Sequence, residues 1–263
     1  MGILDGKVAI VLGASASGGS GAAIARRFAE EGAKLLVGAR SEGPLHDLAR
    51  ETGGIAMRCD VAKEEDVAAF VAKAVDTYGR LDVAVNAAGL PMGGTIAKSP
   101  IEDARVAMEV NYFGCVHFIR HSAGAMKEGG SIILFSSMAA AQPMEFVYSY
   151  GCAKAATDCL VRYAAVEYGP KGIKINSIQP GPIRSDMASG LWTVEGMEAV
   201  YAREIPLRRI GETADYADAA LWLAGPSFVS GLNLPVSGGN QLTRMPYLSE
   251  RPDMAGPDPT NAS

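Results

Sequence analysis

Over 263 residues, 24 Lys and Arg stand against 29 Asp and Glu, for a net charge of −5 and a pI near 5.3. With no Lys/Arg run, the chain offers nucleic acid none of the clustered basic face that phosphate binding needs. Hydrophobic residues make up 48% of the sequence, which excludes general disorder and suits one large domain. No apolar run reaches the roughly 18 to 20 residues of a membrane helix, and the start, Met1-Gly2-Ile3-Leu4-Asp5, lacks a basic segment ahead of an apolar one, so a cytoplasmic protein with no membrane partner is expected. Cys59, Cys115, Cys152 and Cys159 show no paired spacing and read as reduced thiols serving as small core hydrophobes.

In chain order, short β-branched runs alternate with longer helical patterns, the signature of βαβ units and a parallel sheet. Strands are predicted at Lys7 to Leu12, Lys34 to Ala39, Ile55 to Cys59, Asp82 to Asn86, Ser131 to Ser136, Ile173 to Ile178 and Leu232 to Val236. Helices are predicted to begin near Gly21, Pro44, Glu64, Ile101, Tyr150 and Thr213. Runs such as Val8-Ala9-Ile10-Val11-Leu12 do not alternate in polarity, as expected of strands covered on both faces. Two stretches break the rhythm. Residues 184–207 carry Met187, Leu191, Trp192 and Met197 with little strand pattern and predict a mobile helical flap. The tail at 241–263 holds Pro246, Pro252, Pro257 and Pro259 and is expected to run along the surface or onto a neighbouring subunit.

The first strand runs into Gly13-Ala14-Ser15-Ala16-Ser17-Gly18-Gly19-Ser20-Gly21 and then a helix. Glycines let the backbone turn tightly and approach a pyrophosphate, whose charge the free N–H groups and the helix dipole stabilise. No Gly-Lys-Ser/Thr follows, which disfavours a nucleotide triphosphate loop. The second strand ends Gly38-Ala39-Arg40-Ser41, with no carboxylate to hold the ribose hydroxyls of NAD and a guanidinium able to grip a 2′-phosphate. NADP(H) is therefore the preferred cofactor and NAD(H) the second choice; the alternative is that Arg40 is only a solvated loop charge.

Tyr150 and Lys154 stand four apart at the start of a helical run and project from one face. A phenol is a reluctant acid near neutrality, and a neighbouring ammonium stabilises its phenolate. Alone, this pair is common and carries little.

Taken together, the glycine loop, Asp60-Val61, Asn86-Ala87-Ala88-Gly89, Asn111, Ser136-Ser137, Tyr150-x-x-x-Lys154 and Asn176-Ser177-Ile178-Gln179-Pro180-Gly181 resemble the short-chain dehydrogenase/reductase family, in order over roughly residues 5 to 239. The resemblance implies one doubly wound Rossmann-type α/β domain over 1–240, seven parallel strands in the order 3-2-1-4-5-6-7 with helices on both faces. It implies Tyr150 as general acid in carbonyl reduction and base in alcohol oxidation, and Ser137 holding the substrate oxygen. Lys154 would hold the nicotinamide ribose, and Asn111 would position a water that relays protons to Lys154. Gly13, Ser15, Ser17, Gly19 and Ser20 would cradle the pyrophosphate. Arg40 and Ser41 would meet the 2′-phosphate, Asp60 and Val61 the adenine, Asn86, Ala87 and Ala88 its ribose side, and Pro180, Gly181 and Ile183 the carboxamide. A homotetramer or dimer, built largely through the helices carrying Asn111 and Tyr150, is implied as well.

The loop departs from the usual family pattern: Leu12 replaces a Thr, and Gly13 stands one residue further from Gly19-Ser20-Gly21. That length resembles the loop of enoyl-carrier-protein reductases, which would imply reduction of C=C. Those enzymes place the active tyrosine seven residues before the lysine, a position held here by Val147. The ketone/alcohol reaction is therefore the expectation, with an enoyl-type reductase and a non-catalytic dinucleotide-sensing protein as alternatives. Gln142, Pro143, Met144, Phe146, Met187, Leu191 and Trp192 are bulky and uncharged, which suits a small hydrophobic ketone or secondary alcohol, cyclic or aromatic. Arg184 is the one cation nearby. Ketoacyl reductases acting on carrier proteins use basic residues at the end of the helix before the fifth strand, where this chain pairs Lys127 with Glu128. His117 and His121 have the spacing of two metal ligands on a helix, yet no third ligand is evident, so no metal is expected.

Overall fold

The unbroken apolar run Val8–Leu12 forms β1 at the centre of a parallel sheet, buried at every position. The computed structural model of the chain describes residues 2–15 and 17–253; the remainder of the expected tail, 254–263, lies outside the described residues. The other strands are β2 (Lys34–Ala39), β3 (Ile55–Arg58), β4 (Val83–Asn86), β5 (Gly130–Phe135), β6 (Ile173–Pro180), the two-residue pair β7 (Ile183–Arg184) and β8 (Gly211–Glu212), and β9 (Asn233–Val236). The main sheet runs β3-β2-β1-β4-β5-β6-β9 with every pairing parallel. This is the expected order; the seventh predicted strand is the ninth observed because β7 and β8 pair apart from the main sheet.

The helices are α1 (Ser20–Glu30), α2 (Gly43–Thr52), α3 (Glu64–Tyr78), α4 (Ile101–Met108), α5 (Gly114–Ala125), α6 (Tyr148–Tyr168), α7 (Ser189–Trp192), α8 (Met197–Glu204) and α9 (Thr213–Ala224). Alternate residues of β1 feed two cores. Ala9 and Val11 pack with Ile24, Phe28, Leu45, Leu48 and Leu221 from α1, α2 and α9. Val8, Ile10 and Leu12 pack with Phe70, Phe118 and Val161 from α3, α5 and α6. Burying Phe28, Phe70 and Phe118 completely contributes on the order of 1.5–3 kcal/mol each. The chain reverses between β1 and β4, so the C-terminal ends of the strands open a crevice there, the place where such sheets bind ligands.

Cys59 and Cys115 are core thiols as expected, whereas Cys152 and Cys159 are exposed on the outer face of α6. A helix covering a sheet buries one stripe only, and these two point away from it. His117 and His121 meet a residue that spacing within one helix could not reveal: Glu64 of α3 lies 3.5 Å and 3.1 Å from them, and Arg120 joins it at 2.7 Å. The cluster ties α3 to α5, and among the described residues no group of His, Cys, Asp or Glu is arranged to hold a metal ion. No helix of the described residues is long and apolar enough to cross a membrane.

The stretch expected as a flap folds into α7 and α8 around its own small core of Met197, Tyr201, Ile205 and Ile210. The described part of the tail turns back on it. Arg244 pairs with Glu204 of α8 and with Glu250, while Gln142 Nε2 donates to the carbonyls of Asn240 and Thr243 at 2.7 and 3.3 Å. Glu145 accepts the Leu248 N–H at 2.6 Å.

Candidate active site

Two adjoining cavities of about 180 and 200 Å³ occupy the crevice. Both are lined by Gly13, Ala87, Ala88, Gly89 and Met187; Gly13 has φ +88°, and its amide donates to the Gly38 carbonyl at 2.8 Å. A Cβ at Gly13 would lie 2.4 Å from the Ala88 nitrogen, and one at Gly21 would lie 2.3 Å from the Gly13 carbonyl oxygen, so the loop packs backbone on backbone. Gly19 stands at the N-cap of α1 with no side-chain cap, and the first turn carries no acid. Its N–H groups are thus available to an anion, and the cradle fits a dinucleotide pyrophosphate.

The smaller cavity is lined by Gly13, Ser15, Arg40, Ser41, Asp60, Val61, Ala87 and Ala88, all predicted, together with Cys59, Gly89 and Val110. Arg40 is exposed at its rim and has no carboxylate partner among the described residues. Burial, with Asp66 and Asp60 nearby, pushes the Cys59 thiol up to about 12, so it lines the cavity as an inert apolar group. Asp60 is held in place by its own turn, its Oδ1 accepting the Ala62 N–H at 3.2 Å. Asn86 lines neither cavity: fully buried, it accepts the Ala88 N–H at 3.1 Å and so shapes the Ala87-Ala88 wall from behind. Ser17 lines neither either; its carbonyl accepts Arg26 Nη1 at 3.1 Å.

The larger cavity brings Gly19, Ser20, Ser137, Tyr150, Lys154, Pro180, Gly181 and Ile183 together with Gly13, Ala87 and Ala88. Ser137 follows β5 in extended backbone, and its Oγ accepts the Ala139 N–H at 3.2 Å, which leaves its O–H to donate into the cavity. Tyr150 and Lys154 come from the first turns of α6. Lys154, 2% exposed, donates from Nζ to the Phe135 carbonyl at 2.6 Å, and the same nitrogen lies 5.6 Å from the centre of the Tyr150 ring. One strand end, β5, therefore supplies the serine and anchors the lysine.

Asn111 sits just outside the cavity, fully buried in a π turn, Glu109–Phe113, that joins α4 to α5. Its side chain accepts the Leu90 N–H at 3.1 Å and donates to the carbonyls of Leu90 and Ala107, both at 3.0 Å. It flanks Gly89, as the lysine does: a Cβ placed on Gly89 would lie 3.3 Å from Asn111 Oδ1 and 3.5 Å from Lys154 Nζ. Gly89, given no role from sequence, leaves room for both polar atoms beside it.

Of the residues expected around a substrate, Met187 lines both cavities. Gln142, Met144, Phe146, Leu191 and Trp192 line neither. Gln142 spends its amide on the tail, and Trp192 packs edge-on against Tyr201 at 5.5 Å and donates to the Ile183 carbonyl at 2.8 Å. Phe146 is half-exposed in the left-handed region, φ +63°, its carbonyl accepting the Gly94 N–H at 2.7 Å. Arg184 is engaged by Glu198 at 2.7 Å and Glu212 at 3.0 Å. Ser185, missed from sequence, lines the larger cavity; its position between Ile183 and Met187 was the available signal.

Residues 13–241 match the family model described as enoyl-(acyl carrier protein) reductase. The chain is 39% identical over 245 residues to the 7alpha-hydroxysteroid dehydrogenase of Escherichia coli strain K12, covering 90% of this chain and 94% of that protein. It is 35% identical over 243 residues to the mitochondrial borneol dehydrogenase of Lavandula x intermedia, covering 90% and 91%. Among solved structures, a short-chain type dehydrogenase/reductase from Mycobacterium ulcerans superposes with a TM-score of 0.90 at 29% identity, over 94% of both chains.

Proposed function

The chain belongs to the short-chain dehydrogenase/reductase family, and from that premise we propose that it is an NADP(H)-preferring oxidoreductase that interconverts a hydrophobic, alicyclic or aromatic ketone and its secondary alcohol. The observation that carries the reading is the larger cavity, where Ser137, Tyr150 and Lys154 share one space with the glycine loop. A nicotinamide cofactor, when bound, supplies or accepts the hydride. Ser137 then donates its O–H to the substrate oxygen and aligns it. Tyr150 gives its phenolic proton to that oxygen in reduction and takes it back in oxidation. Lys154, beside the phenol, would bind the cofactor's ribose hydroxyls, and Asn111 would position a water that relays protons to Lys154.

Preference for NADP(H) is supported by Arg40, a guanidinium with no carboxylate partner among the described residues at the rim of the smaller cavity, and by the absence of any acid at Ala39. A hydrophobic ring substrate is supported by the relatives, one named for a hydroxysteroid and one for borneol. The enoyl description of the family model favours the C=C alternative, but Val147 stands where that chemistry would want a phenol. A carrier-protein substrate is also disfavoured, since Lys127 donates to the Gly124 carbonyl and Glu128 beside it pairs with Arg80. A sensor without turnover would have no use for both Tyr150 and Lys154 in the cavity. The exposed apolar residues Val106, Phe113, Tyr163 and Val166 on α4, the π turn and α6 suit contact with a second copy, consistent with a dimer or tetramer.

The test is a fluorescence titration with NADPH and NADH, followed by turnover with cyclic, aryl and steroid ketones and one enoyl thioester. Tighter NADPH binding with ketone-dependent oxidation is expected. Turnover of the thioester alone, or tight binding without turnover of any ketone or alcohol, would replace this reading with one of its alternatives.

A further inference from the structure

Asn111 and Lys154 both flank Gly89 but come from the π turn and from α6, so the placement of each depends on how those two elements are held together. A π turn loosens the hydrogen-bond ladder and opens its carbonyls to side-chain donors. At Asn111 two such donors are present: Thr157 Oγ1 donates to the Asn111 carbonyl at 2.7 Å, and the Cys115 thiol approaches it at 3.3 Å. Thr157 lies three residues after Lys154 on α6 and is completely buried. Its hydroxyl also lies 3.1 Å from the Ala153 carbonyl, the ordinary bond of a threonine to its own helix, but the single hydrogen belongs to the shorter contact across to Asn111.

We propose that Thr157 is a positioning residue for the reaction, clamping the π turn to α6 so that Asn111 and Lys154 keep their places on either side of Gly89. The inference rests on the alcohol–ketone reading above. The clamp acts on the proton-handling half of the site, because Thr157 lines neither cavity. Releasing it lets the Asn111 carbonyl and side chain drift relative to the lysine, and small displacements of groups that handle protons cost rate more than binding.

The experiment compares Thr157→Val, which keeps the shape and deletes the hydroxyl, with Thr157→Ser, which restores the donor. Thr157→Val is expected to lower kcat about tenfold while the KM values for NADPH and for the ketone stay within about twofold. Thr157→Ser is expected to recover most of kcat. Wild-type kcat in Thr157→Val, an equal loss in both variants, or a KM that rises in step with the fall in kcat would overturn the clamp. Should Thr157→Val fail to fold, Thr157→Ala is read against the serine variant by the same criteria. Wild-type protein that turns over no ketone or alcohol overturns the functional reading and this inference with it, whereas wild-type turnover left unchanged by loss of the hydroxyl overturns this inference alone.

Discussion

The wall of the crevice built by β5 and α6 and the cover built by residues 183–212 and 240–253 are secured in opposite ways. On the wall, polar groups are fixed by buried backbone partners: Lys154 by the Phe135 carbonyl, Asn111 by both backbone groups of Leu90. On the cover, the ties are ion pairs in water, Arg184 with Glu198 and Glu212 and Arg244 with Glu204 and Glu250, around a core of four buried side chains. Exposed pairs are individually weak, and a small core lends little cooperative stability. Under the proposed reaction, proton chemistry falls on the wall, where buried partners fix the geometry, and Met187, which lines both cavities, falls on the cover, where the ties are weaker.

The sharpest way to break the wall is at its proton donor. Tyr150→Phe removes one hydroxyl and keeps the ring against Lys154, so kcat is expected to fall by about 10³-fold or more while the Kd for NADPH changes less than about twofold. Stopped-flow turnover beside equilibrium titration checks both, and near-wild-type turnover would dismiss the assignment. Next comes the loop that lines both cavities. Gly13→Ala places a methyl against the Ala88 nitrogen in a left-handed backbone, a strain on the order of 1–3 kcal/mol with no side chain able to yield. A weaker NADPH affinity, by about tenfold or more, and a lower Tm are expected together; unchanged binding would show that the loop does not touch the cofactor.

The wall was far more legible in the sequence than the cover. The strand positions, the glycine loop and Tyr150-x-x-x-Lys154 are local patterns that survive projection onto one dimension, and the strand order followed from the family resemblance those motifs carry. Gly89 and Thr157 were not legible, because what makes them matter is an approach between segments separated by more than twenty residues: Gly89 to Asn111, Asn111 to Thr157. Glu64 was hidden from the reading of His117 and His121 for the same reason. In the cover, bulk and lack of charge were taken as pocket signals, yet the same properties build the packing of Trp192 on Tyr201, and no periodicity distinguishes the two uses. Gln142 looked available for a ligand until the tail carbonyls of Asn240 and Thr243 claimed its amide.

At the ends of β1, β2 and β4, in the smaller cavity proposed to take the cofactor's adenosine end, Arg40 is a single exposed side chain. A charge-assisted bond of this kind contributes about 1.5–3 kcal/mol, so Arg40→Ala is expected to raise the KM for NADPH by about tenfold or more and that for NADH by less than twofold. Steady-state kinetics with both cofactors checks it. Equal effects on the two would return Arg40 to a solvated loop charge.

The smallest effect tests the cover itself. Arg244, and after it the Tyr247 N–H, pull the Glu250 carboxyl from an ordinary value of 4.5 down to about 2. A carboxyl depressed on folding stabilises the native state at pH values above its unfolded pKa, and that contribution is lost as pH falls through the folded one, here between about 4.5 and about 2. The pair is partly exposed, Glu250 by 26% and Arg244 by 41%, so solvent and salt screen the interaction. Glu250→Gln is therefore expected to lower Tm by about 1–2 °C at neutral pH in dilute salt, with the gap to wild type closing as pH is taken below 4.5 and again when salt is raised toward 1 M. The same variant should leave kcat on a small ketone unchanged, because the ion pair touches no group of the wall. A loss of kcat as large as that expected of Thr157→Val would mean that the cover transmits strain to the wall, and the division of tasks between them would fail.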